Sequence, residues 1–406
     1  MPVPLRRNRD FNVFWFAQTL SVAGDSFSYV AIPLLVLHAT GSVTQMGLLT
    51  GAAGAASIAA GTIAGTIADR IDRRRLLIVC DLARAVLYGL IPLCWLLSPQ
   101  VWLLYAVVPV GAAFGMVFQV AYATAVPNLV GGEQITEANG RLFATQSAAW
   151  TAGPMLAGLV SGAFGPAAAI GIDAASFAVS AAGLALCRLR VSARPAERQS
   201  PWRDFIAGAR FLWRHPVLKT LTVLLSCFIF LQVGLTDILI YYLKADLGRS
   251  DGVVGYVLAV AAVGTVVGSA LVAALRRSLG FGVCWIGSYV LFGVAIGLVG
   301  LTTAVPVVAA LLASAMFFIS VAGICSMSLR QQVTPDHLLG RATATFWTIQ
   351  RALSPLGAAL LTAATARVGV TQVLLCAGAA CVLIGVSAVF TPIRLTHPER
   401  LAFHAA

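Results

Sequence analysis

The feature that most constrains this chain is a succession of long apolar stretches, separated by short polar turns. A helix that crosses the hydrocarbon core of a bilayer needs ~20 apolar residues, and most of these stretches reach that length. Hydrophobic residues make up 59% of the sequence and charged residues only 10%, whereas a soluble domain has ~25% charged residues. The sequence therefore predicts an all-α, multi-pass membrane protein.

Six apolar segments precede a central polar stretch, and six follow it. The first six lie near 12–37, 43–68, 76–97, 101–126, 140–163 and 166–187. The second six lie near 217–243, 252–275, 282–301, 304–329, 341–365 and 370–391. We therefore expect twelve transmembrane helices in two pseudo-symmetric six-helix bundles. The expected domains are 1–187, a cytoplasmic linker at 188–216 with an interfacial helix near 202–213, and 217–406 with a short cytoplasmic tail.

Lysine and arginine predict the orientation, because they accumulate in the loops that stay in the cytoplasm. On the twelve-span arrangement, the basic loop residues share one side except Lys244, Arg249 and Arg367. Both termini are therefore expected in the cytoplasm, with the chain in the cell (cytoplasmic, inner) membrane. The net charge of +12 follows from these loops and suits the anionic lipids of the bilayer, so no nucleic-acid partner is expected.

Motifs of other protein classes are missing from the sequence. The eight cysteines are scattered singly, without a CxxC pair or another metal-ligand spacing. The sequence also lacks HExxH, GxSxG and P-loop motifs. We expect no enzyme activity, no cofactor, no metal site and no ATP-driven pump.

The two halves resemble each other, which is typical of transporters. Arg141 precedes Gly153 and Pro154 in the first half, and Arg341 precedes Ser354 and Pro355 in the second at nearly the same spacing. A non-transporting membrane receptor or scaffold is the alternative of another class, but it would not require two matched halves.

A basic loop with an acidic residue lies between predicted spans 2 and 3. Its candidate gating residues are Gly65, Asp69, Arg70, Arg73 and Arg74. Together with Ile67, Ala68 and Leu77 they resemble the loop signature of the major facilitator superfamily. The resemblance implies the major facilitator fold and a loop that latches the cytoplasmic side shut in one state, with Asp69 held near a helix N-terminus.

Predicted span 5 is similar to the antiporter signature of the same superfamily, at Gly140, Gly153, Pro154 and Gly158. The segments GDSF at 24–27, DLARA at 81–85 and ANGRL at 138–142 resemble the branch that contains macrolide exporters and the enterobactin exporter. This resemblance implies export of a hydrophobic or amphiphilic small molecule, a drug-like compound or a siderophore, by alternating access in exchange for protons. Uptake by symport, or facilitated passage of a small metabolite, is the alternative, and a monomer is expected.

One departure bears on proton coupling. Related drug and proton antiporters carry an arginine in span 4, whereas this span has none and contains Pro109. Coupling through that arginine is therefore excluded.

Ionisable residues inside membrane spans are energetically expensive and are functional candidates by default. Asp25 shares a predicted helical stripe with Gln18, Ser21 and Tyr29, and Asp237 is accompanied by Tyr241. Either aspartate could bind a proton or a cationic substrate, or serve helix packing alone. The remaining candidates for substrate contact are Gln119, Trp347, Gln350 and Arg351.

Other charged residues have different predicted roles. Arg351 could pair with one of the two aspartates or hold an anionic substrate group. Asp81 and Arg84, three residues apart, are predicted to form a structural ion pair. Asp173 belongs to an outer helix in the layout that the resemblance implies, and we expect a structural role for it.

Overall fold

We describe the protein from a computed structural model. The structure describes residues 5–130, 134–187 and 201–398. Residues 188–200 of the predicted linker and the last residues of the tail, 399–406, lie outside the described residues, and so does the N-terminal segment 1–4. The described residues are almost entirely helical and contain no β-strand.

Six long helices make up the first half of the chain. They are α1 (Arg9–Thr40), α2 (Val43–Arg70), α3 (Arg73–Leu97), α4 (Val101–Leu129), α5 (Ile135–Phe164) and α6 (Pro166–Leu186). Polar side chains define the starts of the first three: Asn8, Ser42 and Asp72 each accept a hydrogen bond from a backbone N–H in the first turn of α1, α2 and α3. Gly41 ends α1 in the left-handed conformation, with φ of 64°.

Shorter helices alternate with long ones in the second half. They are α7 (Pro201–Arg214), α8 (Pro216–Gln232), α9 (Leu235–Tyr241), α10 (Asp251–Val299), α11 (Val305–Val333), α12 (Asp336–Ala352), α13 (Ser354–Val368) and α14 (Val370–Ser387). A π-helical turn follows α9 at Tyr242–Asp246, and two 3₁₀ turns follow α14. Helix α10 contains two predicted spans, which join at a kink where Gly280 has φ of 77°.

Nine helical segments of the described chain are long and apolar enough to cross a membrane. Segment α10 accounts for two predicted spans, whereas the predicted spans 140–163 and 341–365 are not among the nine. The all-helical membrane architecture is confirmed, and the count of twelve crossings stays a prediction.

The chain divides into two compact units. The first comprises Met1–Ala196 together with Leu243–Gly255, and the second comprises Glu197–Tyr242 together with Tyr256–Ala406. In the first unit, α1 packs against α5 and α6, α3 packs against α4 and α6, and α2 packs against α4. In the second unit, α12 packs against α7 and α8, and α13 packs against α8. The linker helix α7 is thus held against α12, and its Phe211 and Leu212 are buried.

The two predicted proline repeats have different backbones. Helix α5 runs without interruption through Pro154, whereas the second copy breaks at Leu353 into α12 and α13, with Pro355 in the first turn of α13. A proline in the first turn of a helix loses no hydrogen bond, while one in the interior removes the bond to the residue four before it. Pro355, in the first turn of α13, therefore removes no backbone hydrogen bond, whereas Pro154, in the interior of α5, removes one.

Candidate functional site: a buried carboxyl cluster in the first unit

The centre of the first unit is an ion pair between α1 and α3. The Arg84 guanidinium donates a hydrogen bond from Nη2 to Oδ1 of Asp25. Both groups are largely removed from solvent, with side-chain exposure of 9% for Arg84 and 29% for Asp25. The guanidinium also lies over the Phe177 ring of α6, with 3.8 Å from Cζ to the ring centroid. Arg84 therefore joins three helices at one point.

A second carboxyl group faces the same guanidinium from one turn away on α3. Asp81 Oδ1 lies 3.9 Å from Arg84 Nη1, and the Asp81 side chain is fully buried. Among the described residues, neither Asp81 oxygen has a hydrogen-bond partner by distance and angle, although the Ser180 hydroxyl lies close enough to interact with the carboxyl group. Burial of an ionised carboxyl group without hydrogen bonds is strongly unfavourable. This environment favours the neutral, protonated acid.

The third carboxyl group comes from α6. Asp173 is fully buried and accepts hydrogen bonds from the hydroxyls of Ser28 on α1 and Ser176 on its own helix. The charged and titratable groups around Arg84 are thus Asp25, Asp81, Asp173 and the Tyr88 phenol. We name Asp25, Asp81, Arg84 and Asp173 the carboxyl cluster.

The predicted polar stripe on α1 does not face a single neighbour. Gln18 is buried against α6, where its Nε2 donates to Ser180 Oγ at 3.2 Å. Tyr29 is half exposed and meets Trp150 of α5 edge to face, with ring centroids 5.6 Å apart. Asp25 contacts α3, so the stripe connects α1 to three different helices. Gln119 on α4 is exposed.

Two of the glycines predicted to matter in span 5 lie at close helix contacts. A Cβ atom on Gly153 would come within 1.7 Å of Ser26 Oγ on α1, so only glycine allows α1 and α5 to approach this far. A Cβ atom on Gly158 would lie 2.1 Å from the Gly255 Cα atom at the end of Leu243–Gly255, the segment that belongs to the first unit. Of Gly140 the structure describes the helical backbone alone.

The predicted gating loop is described in part. Of Gly65, Asp69 and Arg70 the structure describes only the helical backbone, so the latch role of Asp69 lies outside the described residues. Arg74 donates hydrogen bonds to the carbonyls of Leu184, at 3.1 Å, and Ala185. These carbonyls end α6, where a cation is favourable. Arg73 is half buried.

A separate ion-pair group lies at the far end of α1 in the first unit. Asp251 accepts from Lys244 Nζ at 2.5 Å and lies 3.2 Å from His38 Nε2. From the sequence, Lys244 was identified only as a loop charge, and no role was predicted for His38 or Asp251.

The other predicted site residues lie in the second unit. Asp237 is buried within α9, and Tyr241 at the end of that helix is half buried. On α12, Trp347 and Arg351 are exposed whereas Gln350 is buried. Arg330 of α11 had been assigned to a cytoplasmic loop, but it is 1% exposed and lies over the Phe346 ring.

Asp173 was predicted to have only a structural role, although the sequence contains a pattern that indicates polar contacts with neighbouring helices. Asp173, Ser176, Phe177 and Ser180 recur at spacings of three and four residues, which puts them on one face of α6. A polar stripe in an otherwise apolar helix indicates a buried polar partner on a neighbouring helix. The partners are Gln18, Ser28 and Arg84.

A sequence model of the Major Facilitator Superfamily matches residues 14–358. The chain belongs to this superfamily. Members carry substrates across membranes, so the chain is a multi-pass membrane transporter. The superfamily resemblance inferred from the gating loop is confirmed.

Two curated relatives within the superfamily are exporters by name. The chain is 25% identical over 386 residues to the multidrug efflux pump Tap of Mycolicibacterium fortuitum, and the match covers 93% of this chain and 94% of Tap. It is 27% identical over 363 residues to the enterobactin exporter EntS of Shigella flexneri, and that match covers 88% of this chain and 85% of EntS. The predicted likeness to exporters of this superfamily is confirmed.

Solved structures show the same fold at low sequence identity. A bacterial homologue of the human lysosomal transporter Spinster, captured inward-facing and occupied, aligns with a TM-score of 0.76 at 15% identity, over 100% of both chains. A point mutant of the nucleoside transporter NupG aligns with a TM-score of 0.76 at 11% identity, over 93% of this chain and 98% of NupG. These alignments confirm the major facilitator fold.

Proposed function

We propose that this transporter exports a hydrophobic or amphiphilic small molecule in exchange for protons, and that the carboxyl cluster of the first unit binds the exchanged proton. The observation that carries the proposal is that one guanidinium interacts electrostatically with three carboxyl groups, of which Asp81 and Asp173 are fully buried and Asp25 is partly buried. The fold family supports alternating access as the mechanism. Both termini would face the cytoplasm of a bacterial cell, as the lysine and arginine distribution predicts.

Charge balance supports proton binding in the cluster. If Asp25, Asp81 and Asp173 were all ionised, three negative charges would face one positive charge, and two would stay uncompensated. Each uncompensated charge in a low-dielectric interior costs several kcal/mol, and proton uptake removes this cost. The cluster is therefore expected to hold protons at neutral pH.

Asp25 is the group we propose to exchange its proton. Its side chain keeps 29% exposure, whereas Asp81 and Asp173 have none. Proton uptake by Asp25 would weaken its bond to Arg84, because a neutral acid attracts the guanidinium less than a carboxylate does. The guanidinium could then turn towards Asp81, 3.9 Å away. Such a partner change between α1 and α3 links protonation to helix position.

Export is supported by the two relatives, whose names describe multidrug efflux and the export of enterobactin. Both relatives are named as proteins that move compounds out of the cell, which favours export over uptake for this chain. Because the compounds in the two names differ, we propose only a broad substrate class, an amphiphilic small molecule.

The test uses purified protein in liposomes with an imposed pH gradient and a panel of ethidium, erythromycin and a ferric siderophore. Collapse of the gradient by at least one compound, with movement of that compound against the proton flow, is the expected result. Asp25→Asn should abolish the collapse, and Asp10→Asn, on the same helix outside the cluster, should not.

Three results would contradict the proposal. Equal collapse in the native protein and in Asp25→Asn would remove Asp25 from the mechanism. Loss in Asp237→Asn with full activity in Asp25→Asn would move the proton site to the second unit. Movement of compound and protons in the same direction would make the protein a symporter.

A further inference from the structure

The second unit contains a buried cation, Arg330, that forms no ion pair with any described residue. Arg330 of α11 is 1% exposed, and its Nε has no hydrogen-bond partner. Its guanidinium carbon lies 4.2 Å from the Phe346 ring centroid and 5.7 Å from that of Trp347, both on α12. Among the residues that the structure describes, no carboxylate forms an ion pair with it.

A second guanidinium lies at the same indole ring. Arg351 Cζ is 5.4 Å from the Trp347 ring centroid, and its side chain is exposed. In the described part of the second unit, Arg351 also lacks an ion-pair partner. The preceding residue, Gln350, is buried, and its Nε2 donor has no hydrogen-bond partner among the described residues. Hydrogen-bond donors thus predominate around this ring.

We infer that Arg330, Trp347 and Arg351 form a binding site for an organic anion with an aromatic or apolar body. Stacking on aromatic rings recovers part of the desolvation cost of a guanidinium, but it satisfies none of the N–H donors. A carboxylate or a similar anionic group would accept hydrogen bonds from them and neutralise the charge. The exposed Trp347 ring would pack against the apolar part of the ligand.

This inference rests on the proposed transport function, because it makes the anion part of the exported molecule. Arg351 is the exposed member and would meet the anion first. Arg330 would be reached when the Phe346 and Trp347 side chains move away from its guanidinium. The site lies in the second unit and the carboxyl cluster in the first, so the two can be tested independently.

The test measures equilibrium binding of two matched probes, 1-naphthoate and its neutral amide 1-naphthamide, to the full protein in zwitterionic lipid nanodiscs without a proton gradient. We expect the native protein to bind the carboxylate at least about tenfold tighter than the amide. Arg330→Gln should remove this preference, and Arg351→Gln should reduce it. Arg367→Gln, an exposed arginine at the end of α13, is the matched control and should keep it.

The outcomes separate this inference from the proposed function. Equal affinity of the native protein for both probes overturns the inference, whatever the proton-exchange test shows. If Arg330→Gln does not fold, an unchanged preference in both Arg351→Gln and Trp347→Leu overturns it. If phosphatidylglycerol, added at constant ionic strength, displaces the carboxylate from the native protein, the site belongs to a lipid headgroup and the substrate assignment is wrong. Carboxylate binding that phosphatidylglycerol leaves intact supports the substrate assignment.

Discussion

The electrostatic interaction of Arg84 with three carboxyl groups predicts an asymmetric response to mutation. Replacement of Arg84 by glutamine removes the single cation of the cluster and leaves three acids without a counter-charge. When asparagine replaces Asp25, we expect Asp81, 3.9 Å from Arg84, to release its proton and become the counter-charge, so that the cluster stays close to neutrality. The two substitutions therefore differ in cost although they break the same ion pair.

The magnitudes follow from burial. Removing one partner of a buried ion pair costs about 3–5 kcal/mol. Because Asp25 keeps 29% exposure, we take the lower end, about 3 kcal/mol of unfolding free energy, for Arg84→Gln. For Asp25→Asn we expect about 1.5 kcal/mol, the lower end of the net value of a hydrogen bond to a charged group. The double variant should lose about 1–2 kcal/mol less unfolding free energy than the sum of the two single losses, as expected for residues in contact.

The assay is unfolding in mixed micelles of dodecyl maltoside and sodium dodecyl sulfate, followed by circular dichroism for the native protein, both single variants and the double variant. Lowering the pH should reduce the penalty of Arg84→Gln, because protonation neutralises the acids that lost their cation. Equal penalties for the two single variants, together with strict additivity in the double variant, would refute the charge-balance reasoning.

Three further predictions concern other parts of the fold. Gly153→Ala should lower the unfolding free energy by about 1–3 kcal/mol in the same assay, because the added Cβ atom would overlap Ser26. Gly287→Ala is the control and should have little effect, because no atom lies within 4 Å of its added Cβ atom. Equal effects of the two substitutions would contradict the close approach of α1 and α5 at Gly153. Arg74→Gln should weaken the end of α6 by about 1 kcal/mol, seen as faster amide hydrogen exchange near Leu184 and Ala185; unchanged exchange there would contradict its capping role. Burial lowers the pKa of His215, whose Nδ1 accepts from the Leu218 N–H at 3.4 Å. The imidazole of His215 therefore binds a proton more readily in the unfolded state than in the folded state. The unfolding free energy should then fall as the pH drops below about 6.5, the pKa of an unperturbed histidine. His215→Asn should keep the side-chain cap of α8 and make the unfolding free energy less dependent on pH. If the variant keeps the same pH dependence, another group is responsible for it.

The sequence was sufficient to locate most helices, because apolar length and capping residues are local signals. The predicted span 12–37 became Arg9–Thr40, with Asn8 and Gly41 at its ends. The two halves of α10 were predicted as separate spans, and the structure has a kink between them at Gly280. The break at Leu353 was not predicted, because the second copy was assumed to follow Pro154.

The candidate site could be predicted only in part. Asp25 was identified because an ionisable residue in an apolar segment is expensive, and Asp81 and Arg84 because they are three residues apart. Contact between Asp25 and Arg84 depends on how α1 packs against α3, and residue spacing within one helix contains no information about that packing. The burial of Asp173 depends on the same three-dimensional arrangement.

The most direct test of the central claim is infrared spectroscopy of the carboxyl groups in the purified protein near neutral pH. The account predicts a carbonyl stretching band of protonated acids that shifts on transfer to D₂O and weakens in both Asp81→Asn and Asp173→Asn. A native spectrum without such a band, or a band that both substitutions leave intact, would contradict the claim that this cluster holds protons.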